Sequence, residues 1–338
     1  MHPALLWEKL PDQRVQCRSC QWYCQINQAH EGVCGMYRNE GGELFNLNFA
    51  KVSSVAVDPI EKKPLYHFHP GTDVFSLGSW GCNFHCKGCQ NWEIACPETD
   101  EELLRSREIS PAQAVSMAQN SGCAGIAWTY NEPSIWLEYT FETAKLAKEK
   151  GLYTVYVTNG YASTEHLDAI GPYLDAWRVD VKGFSDDTYK KIGKVPHFEG
   201  ILSVAERAKT KWGMHVEIVT NVTPDVNDDD AQIDGIADWI ARRMGKDTPW
   251  HITRFHPHRE MRDYPATPLD TLEHAYERGK AAGLKFVYLG NVPGNEHSDT
   301  ICPYCGNRAV IRTGFSSRTV GLDGSKCANC GTELNFRV

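Results

Sequence analysis

No stretch of about 18 consecutive apolar residues occurs in this chain, so no segment reads as a membrane-spanning helix. The opening residues, MHPALLWEKLPDQRVQC, lack an apolar run followed by a small-residue cleavage site. No secretory leader is therefore expected, and the chain reads as cytoplasmic. Basic charge is also short: 35 Lys and Arg against 43 Asp and Glu leave a net charge of −8. A nucleic acid is thus disfavoured as main partner, because backbone binding draws on clustered cations. Internal repeats and low-complexity tracts are missing as well, which argues against solenoids and disordered tails.

What is plentiful is cysteine. Thirteen occur in 338 residues, and without a leader sequence metal thiolates are the default reading over disulfides. They are grouped. Cys17, Cys20, Cys24 and Cys34 form one set, Cys82, Cys86 and Cys89 a second, and Cys302, Cys305, Cys327 and Cys330 a third; Cys96 and Cys123 stand apart. Three metal sites are implied. Apolar residues make up 41% of the chain, with ten Trp, enough for one large core with satellites or for two domains.

Between about residues 71 and 296, strand and helix signals alternate. Short β-branched or aromatic runs predict strands at 74–77, 125–129, 153–158, 177–181, 215–220, 251–255 and 286–289. Apolar residues at three- and four-residue spacing predict helices at 135–147, 164–170 and 231–243. Ser110 before Pro111 predicts a capped helix start, and 227–230 does the same for the helix after it. Such alternation gives an α/β fold with a parallel sheet, either a partial (β/α) barrel or a doubly wound sheet, with ligands at the C-terminal strand ends. Residues 1–70 and 297–338 read as flanking modules.

The second cysteine set follows the first of these strands directly, as GSWGCNFHCKGCQNW, with spacing C-x3-C-x2-C. Ordinary electron-transfer cubanes give every iron a thiolate. Three close thiolates with no fourth would leave one iron open to chelate a small molecule; a three-ligand zinc site or three buried free thiols are the plainer alternatives. The spacing resembles that of the radical S-adenosylmethionine (SAM) superfamily. The resemblance implies that Cys82, Cys86 and Cys89 hold a 4Fe–4S cluster whose open iron binds SAM. It further implies reductive cleavage of SAM to methionine and a 5′-deoxyadenosyl radical, with a low-potential flavodoxin- or ferredoxin-type donor. Other motifs agree with departures. Where the family often has GGE, this chain reads WTYNEP, making Asn131 and Glu132 candidates for SAM, although Glu132 also reads as a first-turn acid at a helix N-terminus. VTNGY resembles the DTNG of pyruvate formate-lyase activating enzymes; Thr158 and Asn159 match, while Val157 replaces the acid. VDVKGF resembles that group's D-x-K, pointing to Asp180 and Lys182 for ribose or carboxylate contacts, or else to a buried salt bridge. Gly88 stands where many members carry an aromatic residue, so no side chain there meets adenine. DPIEKKPLYHFHPG together with SLGSWGCNFHCKGCQNW and TYNEPS is similar to the radical SAM component of the AmmeMemoRadiSam system, which resembles glycyl-radical-enzyme activases. A protein substrate is implied; a small molecule or peptide side chain is the enzymatic alternative, and a multi-metal scaffold the non-enzymatic one.

The C-terminal set, CPYCG and KCANCG, forms two C-x2-C-G knuckles suited to a closed tetrahedral site for zinc or a single iron, that is, a zinc-ribbon or rubredoxin-like module. The N-terminal set is less regular, C-x2-C-x3-C-x9-C, and is expected to hold structural zinc or an auxiliary iron–sulfur cluster; His30 is an alternative ligand or a solvated loop residue. In WHITRFHPHREM, Arg254 could clamp an anion and His256 donate a proton, with His258 beside them, or all three could belong to a plain polar loop. His67 and His69 read as a metal pair or, more simply, as packing.

Overall fold

The computed structural model describes residues 1–97 and 106–338. Its contacts divide the chain into two interleaved compact units. The first comprises Met1–Asp58, Asp73–Trp177 and Glu199–Met214; the second comprises Pro59–Thr72, Arg178–Phe198 and His215–Val338.

In the first unit, strands β1 (Asp73–Gly78), β2 (Gly125–Trp128) and β3 (Tyr153–Thr158) run parallel, Gly125 lying opposite both Val74 and Tyr153. Nearly every residue of these strands is buried, as expected for a parallel sheet covered on both faces. Helix α1 (Pro111–Asn120) starts on a complete capping box: the Ser110 hydroxyl accepts the Gln113 N–H, and the Gln113 side chain accepts the Ser110 N–H. The helix expected over 135–147 is a 3-10 turn (Pro133–Trp136) leading into α2 (Leu137–Glu149), and α3 (Thr164–Ile170) follows. Ahead of β1 lie two small three-stranded sheets. One contains His2–Pro3, Tyr37–Glu40 and Glu43–Asn46; the other contains Trp7–Lys9, Val15–Cys17 and Gln25–Ile26.

Strand β4 (Ala176–Asp180) carries the chain from one unit to the next. In the second unit, β5 (His215–Val222), β6 (Trp250–Arg254) and β7 (Val287–Gly290) are again parallel, with Ile218 opposite Trp250 and Trp250 opposite Val287. Helix α4 (Asp230–Trp239) is capped by Asp229, whose carboxylate accepts the Gln232 N–H, and ends in a π turn over Ile240–Met244. The C-terminal residues form a ribbon: Thr300–Ile301, Arg308–Thr313 and Ser316–Thr319 in one sheet, Leu322–Asp323 with Lys326–Cys327 in another. No helix among the described residues is long and apolar enough to cross a membrane.

Two histidines are packed inside rather than displayed. His67 lies between the Leu334 carbonyl and the Tyr288 hydroxyl, and stacks on Phe336. This is the packing role, and the 67–69 segment is not a strand. His166 of α3 neighbours the Ser19 and Tyr156 hydroxyls. Burial pushes each imidazole down to about 3. The unfolded chain therefore takes up protons first as pH falls through about 6.5. Stability is expected to be full above that value and to decline below it by about 1.4 kcal/mol per pH unit for each histidine, until the folded values near 3 are reached. Urea unfolding between about pH 7.5 and 5 checks this, and His166→Gln should flatten the slope.

Candidate functional site

The parallel register sets Leu77 of β1 opposite Trp128 of β2, and Trp128 opposite Tyr156 of β3. The three C-terminal strand ends thus lie side by side, and the segments leaving them converge. The loop after β1 carries Cys82, Cys86 and Cys89. Gly81 turns the chain into it with φ at 82°, where a Cβ would sit 2.7 Å from both the Cys34 carbonyl oxygen and Met36 Cγ. Only glycine fits that position.

Asn131 braces this loop. Its Oδ1 accepts the Ser79 N–H at 3.0 Å, while its Nδ2 donates to Ser79 Oγ at 2.9 Å and to the Gly81 carbonyl at 2.8 Å. The preceding Tyr130 holds a φ of 73°, rare for a bulky residue. Its carbonyl accepts Asn91 Nδ2 at 2.6 Å, and its hydroxyl donates to Asp58 at 2.7 Å.

Glu132 is completely buried, and its carboxylate joins two strand ends. Oε1 accepts the Thr158 hydroxyl at 2.7 Å and the Ser134 N–H at 2.9 Å; Oε2 accepts the Asn159 N–H at 2.7 Å. Burial raises its pKa, opposed by the hydrogen bonds from Asn159, Ser134 and Thr158. The geometry is that of a group that fixes the Thr158–Asn159 turn, and it caps the following 3-10 turn as well.

Asn159 reaches back to the cysteine loop. Its Nδ2 donates to Asn83 Oδ1 at 2.7 Å and lies 3.9 Å from Cys82 Sγ. Asn83 is fully buried, donates to Ser134 Oγ at 3.3 Å, and gives its carbonyl to Trp22 Nε1 at 2.8 Å. Asn83, Ser134 and Trp22 were not singled out from the sequence. Asn83 reads there as a spacer between two cysteines; only the fold brings its amide to Asn159 and Ser134.

Burial pushes the Cys82 thiol well up, and Glu132 and Cys86 add to that. A cationic metal centre reverses this balance by taking the thiolates as ligands. Three thiols in one strand-end loop are soft donors of the kind iron–sulfur clusters use, so the donor set fits.

The second unit holds the other predicted residues. Asp180 lies between two cations, Arg178 Nη1 at 2.5 Å and Lys182 Nζ at 3.0 Å. Burial opposes its ionisation, but Arg178 and Lys182 outweigh that and hold its pKa below the usual value. This is the salt bridge weighed for the D-x-K motif, enlarged by Arg178, whose Nε also donates to the Lys63 carbonyl at 2.6 Å. Arg254 donates to the Thr267 carbonyl at 2.8 Å, and His256 is exposed. His30 is an exposed loop residue bonded to the Gln28 carbonyl at 2.8 Å.

The C-terminal cysteines close tightly. Sγ of Cys302 is 3.7 Å from that of Cys330, and Sγ of Cys305 is 3.6 Å from that of Cys327. A metal–sulfur bond of about 2.3 Å in a tetrahedron puts sulfurs about 3.8 Å apart, so these four fit one ion. Gly306 and Gly331, each with positive φ, make the turns, donating to the Cys302 and Cys327 carbonyls at 3.0 and 2.8 Å. The Cys330 N–H, aided by other amides, brings Cys327 down to about 6, which favours a thiolate ligand. Cys302 and Cys327 pack in one core with Tyr66, Phe286 and Phe336. Cys305→Ser is expected to remove one metal equivalent and to raise hydrogen exchange across residues 300–336, read by metal analysis and mass spectrometry.

Parallel strands with thiols, amides and a buried acid at their C-terminal ends define an α/β protein with a candidate site at its strand ends. Comparison with known proteins makes this specific. Residues 79–235 match the Radical SAM superfamily. An uncharacterized protein of Methanocaldococcus jannaschii is 40% identical over 338 residues, which cover 99% of each chain. A pyruvate formate-lyase-activating enzyme of Clostridium pasteurianum is 30% identical over 149 residues, covering 41% of this chain and 60% of its own. A putative glycyl-radical enzyme activating enzyme of M. jannaschii is 25% identical over 188 residues, 54% of this chain and 68% of its own. A radical SAM methyltransferase from Sphaerobacter thermophilus shares the fold, with a TM-score of 0.50 at 14% identity over 66% of this chain and 67% of that one. The chain belongs to the radical SAM superfamily.

Proposed function

We propose that this protein is a radical SAM enzyme of activating-enzyme type, in which Cys82, Cys86 and Cys89 hold a 4Fe–4S cluster with one iron free of protein ligands. Once bound, that cluster supplies the electron that cleaves SAM to methionine and a 5′-deoxyadenosyl radical, which takes a hydrogen atom from the substrate. The observation carrying this reading is the convergence of the cysteine loop with Asn131, Glu132 and Asn159 at three adjacent strand ends. Asn131 and Glu132 shape the cradle for SAM by fixing the 79–82 and 158–159 turns, and Asn159 lies beside Cys82. Gly88 and Val157 leave adenine and any cation to be met by groups other than the commonest family set. A protein substrate is favoured because relatives over half of this chain are named as activating enzymes. A low-potential flavodoxin- or ferredoxin-type protein is the expected electron donor.

Anaerobic reconstitution with iron and sulfide, followed by dithionite and SAM, tests the reading. 5′-Deoxyadenosine is expected in the products. Its absence, with zinc found in the triad, would leave a metal scaffold instead. Adding a glycyl-radical enzyme and looking for a glycyl EPR doublet then tests the substrate class.

A further inference from the structure

The N-terminal cysteines belong to the same compact unit as the triad. Cys17 and Cys20 are buried, Cys24 and Cys34 partly so, and all four line one enclosed pocket with Trp22 and Tyr37. Among these sulfurs, Cys34 Sγ accepts the Met36 N–H at 3.5 Å. Four cysteines converging on one pocket, with a backbone donor turned toward a sulfur, are the environment of metal-bound thiolates. A short antiparallel pairing, with the Cys17 N–H on the Cys24 carbonyl at 2.9 Å, holds two of the ligands in register.

Spacing tells a single ion from a cluster. Among the described residues, the C-terminal quartet alone draws its ligand atoms within 4.8 Å of one another. Neither the triad nor the N-terminal quartet closes in that way. A mononuclear tetrahedral site needs sulfurs about 3.8 Å apart, whereas a polynuclear cluster carries its thiolates on the outer corners, farther from one another. The N-terminal set thus shares the open spacing of the triad and differs from the ribbon.

Two contacts join the open sets. Asn83, next in sequence to Cys82, accepts Trp22 Nε1 on its carbonyl at 2.8 Å, and Trp22 lines the quartet's pocket. On the other side, Gly81 packs so close to Cys34 that a Cβ would lie 2.7 Å from its carbonyl oxygen. We infer that Cys17, Cys20, Cys24 and Cys34 hold a second, fully thiolate-ligated iron–sulfur cluster that relays electrons to the triad. With four protein thiolates no iron is left to chelate a substrate, so the site stores and passes electrons one at a time: the external donor is oxidised, this cluster is reduced, and it is reoxidised as the electron moves on to the triad. The relay rests on the function proposed above; the presence of the cluster does not.

The test separates the two. A variant with Cys82, Cys86 and Cys89 all changed to Ala, reconstituted anaerobically, is expected to keep iron, acid-labile sulfide and a reducible EPR signal, with only about a twofold loss of iron relative to the parent. Iron and sulfide lost entirely, with two zinc equivalents per chain instead, would overturn the proposal whatever the parent does with SAM. For the relay, Cys20→Ser with Cys24→Ser in the parent should slow 5′-deoxyadenosine formation at least tenfold with reduced flavodoxin as donor. An unchanged rate in that variant would remove the relay. Should the double variant fail to fold, the metal and sulfide content of the triad-less variant still decides whether the cluster is there.

Discussion

Cys86→Ala is expected to reduce SAM cleavage to background while leaving the C-terminal ribbon metal in place. The residue is the middle ligand of C-x3-C-x2-C, in a loop whose neighbours are fixed by Asn131 and Asn83. In the proposed site, removing its thiolate would leave two protein ligands for a cluster with one iron already open, too few to retain a cubane. A metal in the ribbon would draw on Cys302, Cys305, Cys327 and Cys330 alone, so any ion there is expected to stay. Cys123→Ala is the control: that thiol is buried but stands outside all three groups. 5′-Deoxyadenosine by chromatography, with iron, sulfide and zinc measured on the same samples, gives the answer. Retained cleavage in Cys86→Ala would mean that other cysteines hold the cluster.

The strands that position the site were legible because each is a compact β-branched or aromatic run, and all seven fall within two residues of the expected bounds. Less legible was what each polar group does. Glu132 reads from WTYNEP as a SAM candidate or as an acid at a helix N-terminus; its oxygens accept Thr158, Asn159 and the Ser134 N–H of the 3-10 turn it caps. Which donors meet it is decided by the β2–β3 register, a nonlocal pairing with no local signature. Arg178 is legible beside Asp180 and Lys182 only through a period-two count, which sets 178, 180 and 182 on one face. The small N-terminal sheets escaped notice because their strands are two to four residues long, too short for periodicity to register.

Glu217 is a lone acid in the apolar run HVEIV of β5, and its loss is expected to be the most destabilising single change in the second unit. Its side chain is fully buried and accepts four hydrogen bonds: His215 Nε2 at 2.9 Å, His251 Nε2 at 2.6 Å, the His67 N–H at 2.7 Å and the Tyr66 N–H at 3.0 Å. Burial alone would favour the neutral acid, but the two imidazole donors prevail and hold the carboxyl well below its usual range. Burial in turn lowers the pKa of His251, with Glu217 opposing that shift. Glu217→Ala strands four buried donors at once, and breaking such a group typically costs about 3–5 kcal/mol. Glu217→Gln keeps the shape and one acceptor but turns an NH2 toward donors, so it should recover only part of the loss. The damage should spread along the 59–72 segment into the ribbon, because His67 bonds the Leu334 carbonyl and Arg312 bonds the Tyr66 carbonyl at 2.7 Å. Denaturant midpoints at constant slope measure the loss, and faster hydrogen exchange in residues 61–71 and 300–337 locates it. A shift below about 1 kcal/mol in Glu217→Ala would show that the four donors find other acceptors.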